Sequence, residues 1–328
     1  VIMTGFSIII PVKEINDYLR ESITHLLALD YKDYEVLILP NEKPPSLESA
    51  FVDERVKIIA SGAVSPAVKR DLGAEQAQFE YLAFMDDDAY PSLEWLKVAE
   101  KTFTEKNPAA LGGPGMVPPD ASKKEIVSGI FYETLVGGGG LAYRYRPAPE
   151  GFYVKDYPSV NLIIRKNVFL EIGGFDNAFW PGEDTKLCLD LIQAGHDIWY
   201  EPTLLVYHHR RPTFRGHFKQ VGGYGLHRGH FAKIYPHTSA LPLYFAPSTF
   251  LLGNIILFFL GFANTFFWQI WGVLLAVYLL LAIIDIMSRT RDLWIAGMTL
   301  LVLVGSHLVY GWRFIQGYFT SRLVSKLR

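Results

Sequence analysis

The fold is decided by eight residues, Tyr-Leu-Ala-Phe-Met-Asp-Asp-Asp, which run from Tyr81 to Asp88. The apolar run followed by three carboxylates predicts a short buried parallel strand with an acidic carboxyl end. Open α/β sheets bind ligands at that end of their strands. Because crowded carboxylates repel one another unless a cation lies among them, Asp86, Asp87 and Asp88 predict a site for Mg²⁺ or Mn²⁺ with substrate phosphates. A solvated acidic turn is the alternative.

Strands and helices alternate around that stretch. They are predicted from short apolar runs and from helical spacing, as a strand at Phe6–Pro11, a helix at Ile15–Leu29, strands at Tyr34–Leu39 and Val56–Ala60, and a helix at Pro66–Gln78. This alternation predicts an α/β fold with a mostly parallel, Rossmann-like sheet. No Gly-x-Gly-x-x-Gly segment follows the first strand and no Gly-Lys-Ser/Thr loop occurs, so neither a dinucleotide oxidoreductase nor a P-loop kinase is supported.

Another carboxylate, Asp184, lies two residues after Gly182 and before a predicted helix over Thr185–Ala194. One interpretation is an N-cap, because a helix N-terminus favours a carboxylate. The other is a general base facing an acceptor, with Gly182 letting the backbone approach a ligand closely. The preceding region contains a predicted strand at Pro158–Arg165 and a short helix capped by Asn167.

Two histidines and two arginines follow a predicted strand over Leu204–Tyr207; they are His208, His209, Arg210 and Arg211. Histidine can ligate a metal and arginine can clamp a phosphate with two hydrogen bonds, so the segment suits a phosphate-rich site. The alternative is a basic segment lying beside anionic lipid.

The overall composition narrows the class of protein. The chain has 328 residues and a formal net charge of -2, and the lack of a basic excess argues against a nucleic-acid partner. Cys188 is the single cysteine, which excludes an internal disulfide and a cysteine-rich metal site.

Three uncharged apolar segments follow one another near the C-terminus, at Leu241–Ala263, Phe266–Ile284 and Leu293–Trp312. Each is long enough to cross a hydrocarbon core of roughly 30 Å. The loop 288–291 and a tail containing Arg322, Lys326 and Arg328 are both basic, and the positive-inside rule favours the cytoplasm for both. Either the third segment is re-entrant or kinked, or the tail lies outside.

The predicted organisation has three parts. They are a catalytic domain over residues 1–212, an interfacial amphipathic linker over 213–240, and a transmembrane region with about three helices over 241–328. Within the first part, the apolar, glycine-rich stretch 126–141 is either an acceptor-site loop or an amphipathic element on the membrane.

Taken in order, several segments resemble the family 2 glycosyltransferases, which have a GT-A fold. The matching segments are Ser7–Pro11, Val68–Gly73, Phe84–Pro91, Gly173–Asp176, Gly182–Asp184 and His208–Arg211. The resemblance covers residues 5–235. The apolar tail is similar to that of membrane-bound members that build exopolysaccharide, capsule or lipid-linked glycans.

The resemblance implies a role for each matching residue. Asp86 and Asp88 would hold Mg²⁺ or Mn²⁺ with the donor's ribose and diphosphate, His208 or His209 would complete the metal shell, and Asp184 would accept the proton of the acceptor hydroxyl. The nucleotide sugar would be bound by Pro11, Lys13, Glu42, Lys69, Arg70, Asp71, Asp86, Asp87, Arg210 and Arg211. Glu42 stands where the family often has an aspartate, so it replaces that aspartate or the contact is lost.

The implied function is an inverting glycosyltransferase of cell-surface glycan biosynthesis. Family frequency favours UDP as the nucleotide, and the acceptor would be a hydroxyl of a membrane or lipid-linked glycan. One base without a second nucleophilic carboxylate predicts inversion at the anomeric carbon. The expected location is the cell membrane, multi-pass, in contact with membrane lipids and with the catalytic domain in the cytoplasm.

Two observations limit this interpretation. The Gln-x-x-Arg-Trp motif of processive synthases is absent, which favours transfer of single sugars. The same carboxylates also suit a metal-dependent phosphohydrolase or nucleotidyltransferase, and a nucleotide-binding membrane scaffold is the remaining alternative.

Overall fold

The computed structural model describes residues 3–46, 48–179, 182–321 and 323, and the chain divides into two compact units. The sheet unit contains the chain before Pro119 together with Arg146–His209. The helical unit contains Pro119–Tyr145 and the described chain from Arg210 onward. The predicted boundaries of the catalytic domain at residue 212 and of the linker at residue 240 stay predictions.

Within the described part of the sheet unit there are eleven strands. In chain order they are β1 Met3–Pro11, β2 Tyr34–Leu39, β3 Val56–Ile58, β4 Phe79–Phe84, β5 Ala89–Pro91, β6 Ala110–Gly112, β7 Gly115–Met116, β8 Phe152–Val154, β9 Leu162–Arg165, β10 Ile198–Tyr200 and β11 Val206–His208.

Eight strands form the central sheet, in the order β3-β2-β1-β4-β9-β6-β10-β8. Only β9 and β8 run against the others, so the sheet is mostly parallel, as predicted. The central strands are rich in apolar residues on both faces, as expected where both faces are covered; Ile8, Ile9 and Phe84 are fully buried. The carboxyl ends of β1, β2 and β4 therefore meet at one edge.

The remaining strands form a small sheet in the order β5-β11-β7. Its β11 pairs antiparallel with β5, and that register places His208 opposite Ala89. Since Asp86–Asp88 connect β4 to β5, this sheet brings the end of β11 back to the acidic triplet.

The described residues form eleven α-helices. They are α1 Asp17–Leu27, α2 Pro66–Gln76, α3 Trp95–Lys106, α4 Lys123–Glu133, α5 Lys166–Glu171, α6 Glu183–Gln193, α7 Phe214–Ile234, α8 Pro236–Ser239, α9 Pro242–Leu260, α10 Phe266–Met287 and α11 Leu293–Phe319. Local signals explain several starts: Asn16 caps α1, and Ser65 caps α2 immediately before Pro66.

Three local predictions need correction. The strand predicted from Pro158 begins only at Leu162, because 159–161 form a turn of 3₁₀ helix in which Asn161 bonds to Trp95 and Leu204. Helix α5 begins before Asn167, which is therefore not its cap. Helix α6 begins at Glu183 with Gly182 as its N-cap, two residues earlier than a cap at Asp184 would require.

In the helical unit, α7 packs along α11 through glycines. A Cβ atom on Gly229 would lie 2.1 Å from the carbonyl oxygen of Phe314, and one on Gly317 would lie 1.9 Å from that of Leu226. The two backbones therefore touch, as in tightly packed membrane helices.

Helices α9, α10 and α11 each have the length and apolar composition needed to cross a bilayer. Helix α11 is unbroken through Gly305 and Gly311, so the kink considered for this segment does not interrupt the helix. The basic tail residues Arg322, Lys326 and Arg328 lie outside the described part of the chain.

Candidate functional site

Asp86, Asp88 and His208 come together at the carboxyl end of β4. Each offers a ligand atom, and these atoms lie within 4.8 Å of one another. His208 Nε2 is 3.1 Å from Asp88 Oδ1. The backbone holds this arrangement, because the His209 N–H donates to the Asp88 carbonyl oxygen at 2.9 Å. Asp88 is buried and Asp86 and Asp87 are partly buried, so the triplet is not a fully solvated turn.

Two carboxylates and an imidazole fit a divalent cation. The negative charge of the site also favours a cation. The pKa of Asp87 is raised to about 6, first by burial and second by the negative charge of the neighbouring Asp88. A cation among these groups would relieve that repulsion. Among the described residues, this cluster is therefore the candidate site for Mg²⁺ or Mn²⁺.

Asp87 is not one of the three clustered ligands. Its Oδ2 atom accepts a hydrogen bond of 2.5 Å from the side chain of Asn16, the residue that caps α1. The middle carboxylate of the triplet thus ties the loop after β4 to the loop after β1.

Three consecutive residues of α2 each hold a different segment. Lys69 Nζ donates to the carbonyl oxygens of Val12 (2.6 Å) and Leu39 (3.2 Å), and to Asn41 Oδ1 (2.6 Å). Burial lowers the pKa of Lys69 to about 8. Lys69 therefore joins the ends of β1 and β2 through contacts within the protein.

The next two residues reach the other side of the helix. Arg70 donates to Asp86 (2.7 Å) and to Glu183 (3.0 Å). Asp71 accepts the backbone N–H of Phe175 at 2.9 Å, and burial raises the pKa of Asp71 to about 6. These contacts anchor the loop after β4, the first turn of α6 and the Gly173–Asp176 turn.

Asp184 lies in the first turn of α6 and is partly buried. The N-cap is Gly182, whose φ of 146° is a backbone conformation that favours glycine. Asp184 lies close enough to Arg70 for their charges to interact, and its Oδ1 accepts the Thr185 N–H at 2.8 Å. A carboxylate placed here is stabilised by the helix dipole without serving as the cap.

Pro11, Lys13 and Glu42 lie at the carboxyl ends of β1 and β2. Pro11 pairs with Leu39 in the sheet, and the Lys13 carbonyl oxygen accepts the Asn41 N–H at 3.0 Å. The side chains of Lys13 and Glu42 are exposed. They lie at the sheet edge where the fold binds ligands.

The remaining predicted residues have other surroundings. His209 Nε2 lies 2.8 Å from Glu21 Oε2 and its ring packs on Tyr18, so among the described residues His208 alone of the pair joins the carboxylates. Arg210 and Arg211 belong to the helical unit, where the Arg210 guanidinium lies 5.0 Å from the ring centre of Tyr145.

Sequence reasoning missed the roles of Glu183 and Asn16. Glu183 is buried and paired with Arg70, which lies far from it in the chain. No local pattern reports such a pair. The one available signal was its position beside Asp184 in the Gly-Glu-Asp segment.

Comparison with known proteins gives a family match and several relatives. The model of glycosyl transferase family 2 matches residues 7–172. The chain is 28% identical over 238 residues to a pre-mycofactocin glycosyltransferase of Mycobacterium tuberculosis, covering 71% of this chain and 49% of that protein. It is 28% identical over 203 residues to a glucosyl-dolichyl phosphate glucuronosyltransferase of Haloferax volcanii, covering 57% and 63%.

Among solved structures, S. aureus TarS is similar with a TM-score of 0.45 and 17% identity. That match covers 69% of this chain and 40% of TarS. The chain spans about half the length of the first curated relative that it matches, 49%.

Proposed function

This chain belongs to glycosyl transferase family 2, and we propose that it moves a single sugar from a UDP-sugar to a hydroxyl of a membrane or lipid-linked acceptor, with inversion. The observation that carries the proposal is the cluster of Asp86, Asp88 and His208 at the carboxyl end of β4. Its donor set suits a cation that a nucleotide diphosphate sugar would share.

The donor would lie across the carboxyl ends of β1, β2 and β4. Pro11, Lys13 and Glu42 would line the nucleoside, and Asp86, Asp88 and His208 would hold Mg²⁺ or Mn²⁺. A bound cation would neutralise the charge that develops on the leaving diphosphate. The segments that line the donor would be held in place by contacts within the protein from Asp87, Lys69 and Asp71. The assignment of Arg210 and Arg211 to the diphosphate, and of His209 to the metal shell, stays a prediction.

Asp184 would act as the general base. A carboxylate in the first turn of α6, near the positive charge of Arg70, is favoured in its ionised form. It would accept the proton of the acceptor hydroxyl as that oxygen attacks the anomeric carbon. One base acting on the face opposite the leaving diphosphate gives inversion.

A lipid-linked acceptor is supported by two observations. Helices α9, α10 and α11 are suited to a bilayer, and one relative is named for its action on a dolichyl phosphate-linked sugar. We place the protein in the cell membrane with the sheet unit in the cytoplasm, where nucleotide sugars are made. Cell-surface glycan biosynthesis is the corresponding process.

The test begins with calorimetric titration of the full chain in detergent with UDP, GDP and dTDP, with and without Mn²⁺. A radiolabelled sugar donor on the nucleotide that binds is then incubated with a membrane lipid extract. Metal-dependent UDP binding and transfer of label to the lipid phase would support the proposal. Release of the nucleotide at a rate independent of any acceptor would instead favour a phosphohydrolase, and binding of none of the three would favour a scaffold.

A further inference from the structure

A buried arginine joins two segments of the proposed reaction site. Arg70 Nη2 donates to Asp86 Oδ1 at 2.7 Å, and Nη1 donates to Glu183 Oε1 at 3.0 Å. The Arg70 side chain is 4% exposed and that of Glu183 is 9% exposed. Because charges buried this deeply are unfavourable unless paired, removal of any one member leaves the others strongly destabilised.

The guanidinium is engaged by the protein rather than open to a ligand. Both Nη atoms donate to carboxylates, and the Cζ atom lies 5.4 Å from the ring centre of Phe175. The Nε atom is buried, and no described atom accepts its hydrogen. Arg70 is therefore placed to influence the donor through Asp86, not by touching it.

On the other side, Glu183 defines how α6 begins. Its Oε1 accepts from Arg70, and its Oε2 accepts the Gly182 N–H at 2.8 Å. Gly182 is the N-cap, and its φ of 146° makes the turn that Glu183 closes. Asp184 is the next residue in the same turn, so the place of its carboxylate depends on Glu183 and Arg70.

We propose that Arg70 is the positioning residue that couples the cation site to the general base. It holds one oxygen of Asp86 and thereby leaves the other for the cation, while through Glu183 it fixes the turn that carries Asp184. Occupation of the donor site would thus order the base. This inference rests on the proposed function, because it assigns the coupling to that reaction.

The chemistry of arginine makes the coupling specific. Its planar fork reaches two carboxylates at once, whereas lysine offers a single ammonium group and would keep only one of the two contacts. A displacement of the base by about 1 Å can lower turnover about 100-fold. We therefore expect Arg70→Lys and Arg70→Gln to lower kcat by about 100-fold while the donor KM changes by less than about threefold.

The experiment compares Arg70→Lys, Arg70→Gln, Glu183→Gln and the double variant Arg70→Gln/Glu183→Gln in the full chain. Arg165→Gln is the matched control, because Arg165 pairs with Glu80 at 3.0 Å on the strand pair β4–β9 and is not part of the site. Two quantities are measured: the steady-state kcat and KM, and hydrogen exchange of the peptide 182–189 with and without Mn²⁺ and UDP.

In the wild type and in Arg165→Gln, Mn²⁺ with UDP should slow exchange at the start of α6, and in both Arg70 variants this protection should disappear. The double variant should lose no more kcat than Arg70→Gln alone, since the two residues act as one unit. A rise in donor KM at unchanged kcat would overturn the inference, because it would mean that Arg70 binds the donor directly.

Retained protection in Arg70→Lys, or an equal loss in Arg165→Gln, would overturn the inference as well. Arg70→Lys keeps the charge and serves if Arg70→Gln does not fold. Failure of the proposed function can be distinguished from failure of this inference. If the wild type binds UDP and Mn²⁺ but transfers no sugar, hydrogen exchange still measures the coupling.

Discussion

His208 Nε2 lies 3.1 Å from Asp88 Oδ1, although His208 ends β11 and Asp88 lies in the connection between β4 and β5. The pairing of β11 with β5 creates this contact, and it adds an imidazole to two carboxylates. A set of three ligand atoms from two distant segments binds a cation more tightly than the carboxylates alone.

His208→Ala should therefore weaken Mn²⁺ binding about 10-fold or more, and Asp88→Ala should remove metal-dependent binding of the nucleotide. Mn²⁺ affinity is measured by electron paramagnetic resonance of the free ion and nucleotide binding by calorimetry. His196→Ala is the control, because His196 is paired with Glu171 and lies outside the cluster. Unchanged Mn²⁺ affinity in both site variants would contradict the metal assignment.

Asp184→Asn should lower transfer about 100-fold to 10,000-fold and leave nucleotide and metal binding intact, because it removes the proton acceptor but keeps the shape of the side chain. Asp190→Asn is the matched control on the same helix, where Asp190 pairs with Lys186. Turnover of a labelled donor and binding of UDP are measured side by side. Loss of UDP binding or of folding in Asp184→Asn would mean that the residue has a structural role only.

The sequence predicts those parts of the site that follow from a local pattern of residues. The apolar run before Asp86 had to be a buried strand, and carboxylates at its end had to lie at the sheet edge. The small sheet could not be predicted, since β7 has only two residues, Gly115 and Met116. Without that sheet, the separate roles of His208 and His209 cannot be distinguished.

Lys69 and Arg70 illustrate a second limit. A basic pair on a helix beside a nucleotide site suggests ligand binding, and the same pair can equally hold the protein together. Lys69 bonds to Val12, Leu39 and Asn41, and Arg70 bonds to Asp86 and Glu183. These partners lie on other segments, and only tertiary packing decides which of them a long side chain reaches.

Asp71 should make the folded protein less stable as pH rises, whereas a carboxylate in a surface ion pair makes it more stable. Burial raises the pKa of Asp71 from its ordinary 3.8 to about 6, so between those pH values the folded state binds a proton that the unfolded state has lost. The contribution of Asp71 to the free energy of unfolding is fully present below pH 3.8 and is lost as pH rises to about 6. Asp71→Asn keeps the acceptor for Phe175 and should raise the melting temperature at pH 7 but not at pH 4.

Asp53 provides the comparison of opposite sign. Its hydrogen bonds with Arg55 lower its pKa to about 2, so its contribution is present above pH 3.8 and is lost as pH falls toward 2. Asp53→Asn should lower the melting temperature at pH 7. A lower melting temperature of Asp71→Asn at pH 7 would contradict the burial argument for Asp71.

Gly229→Ala should destabilise the helical unit, because its Cβ would lie 2.1 Å from the Phe314 carbonyl oxygen, a backbone atom that cannot turn away. The helices α7 and α11 would have to separate, at a cost of about 1–3 kcal/mol. Gly223→Ala on the same helix is the matched control, since beyond its own helix backbone and chain neighbours no described atom lies within 4 Å of a Cβ at this position, and alanine favours the helix. Thermal unfolding in one detergent compares the two; equal melting temperatures would mean that α7 does not pack on α11 through this glycine.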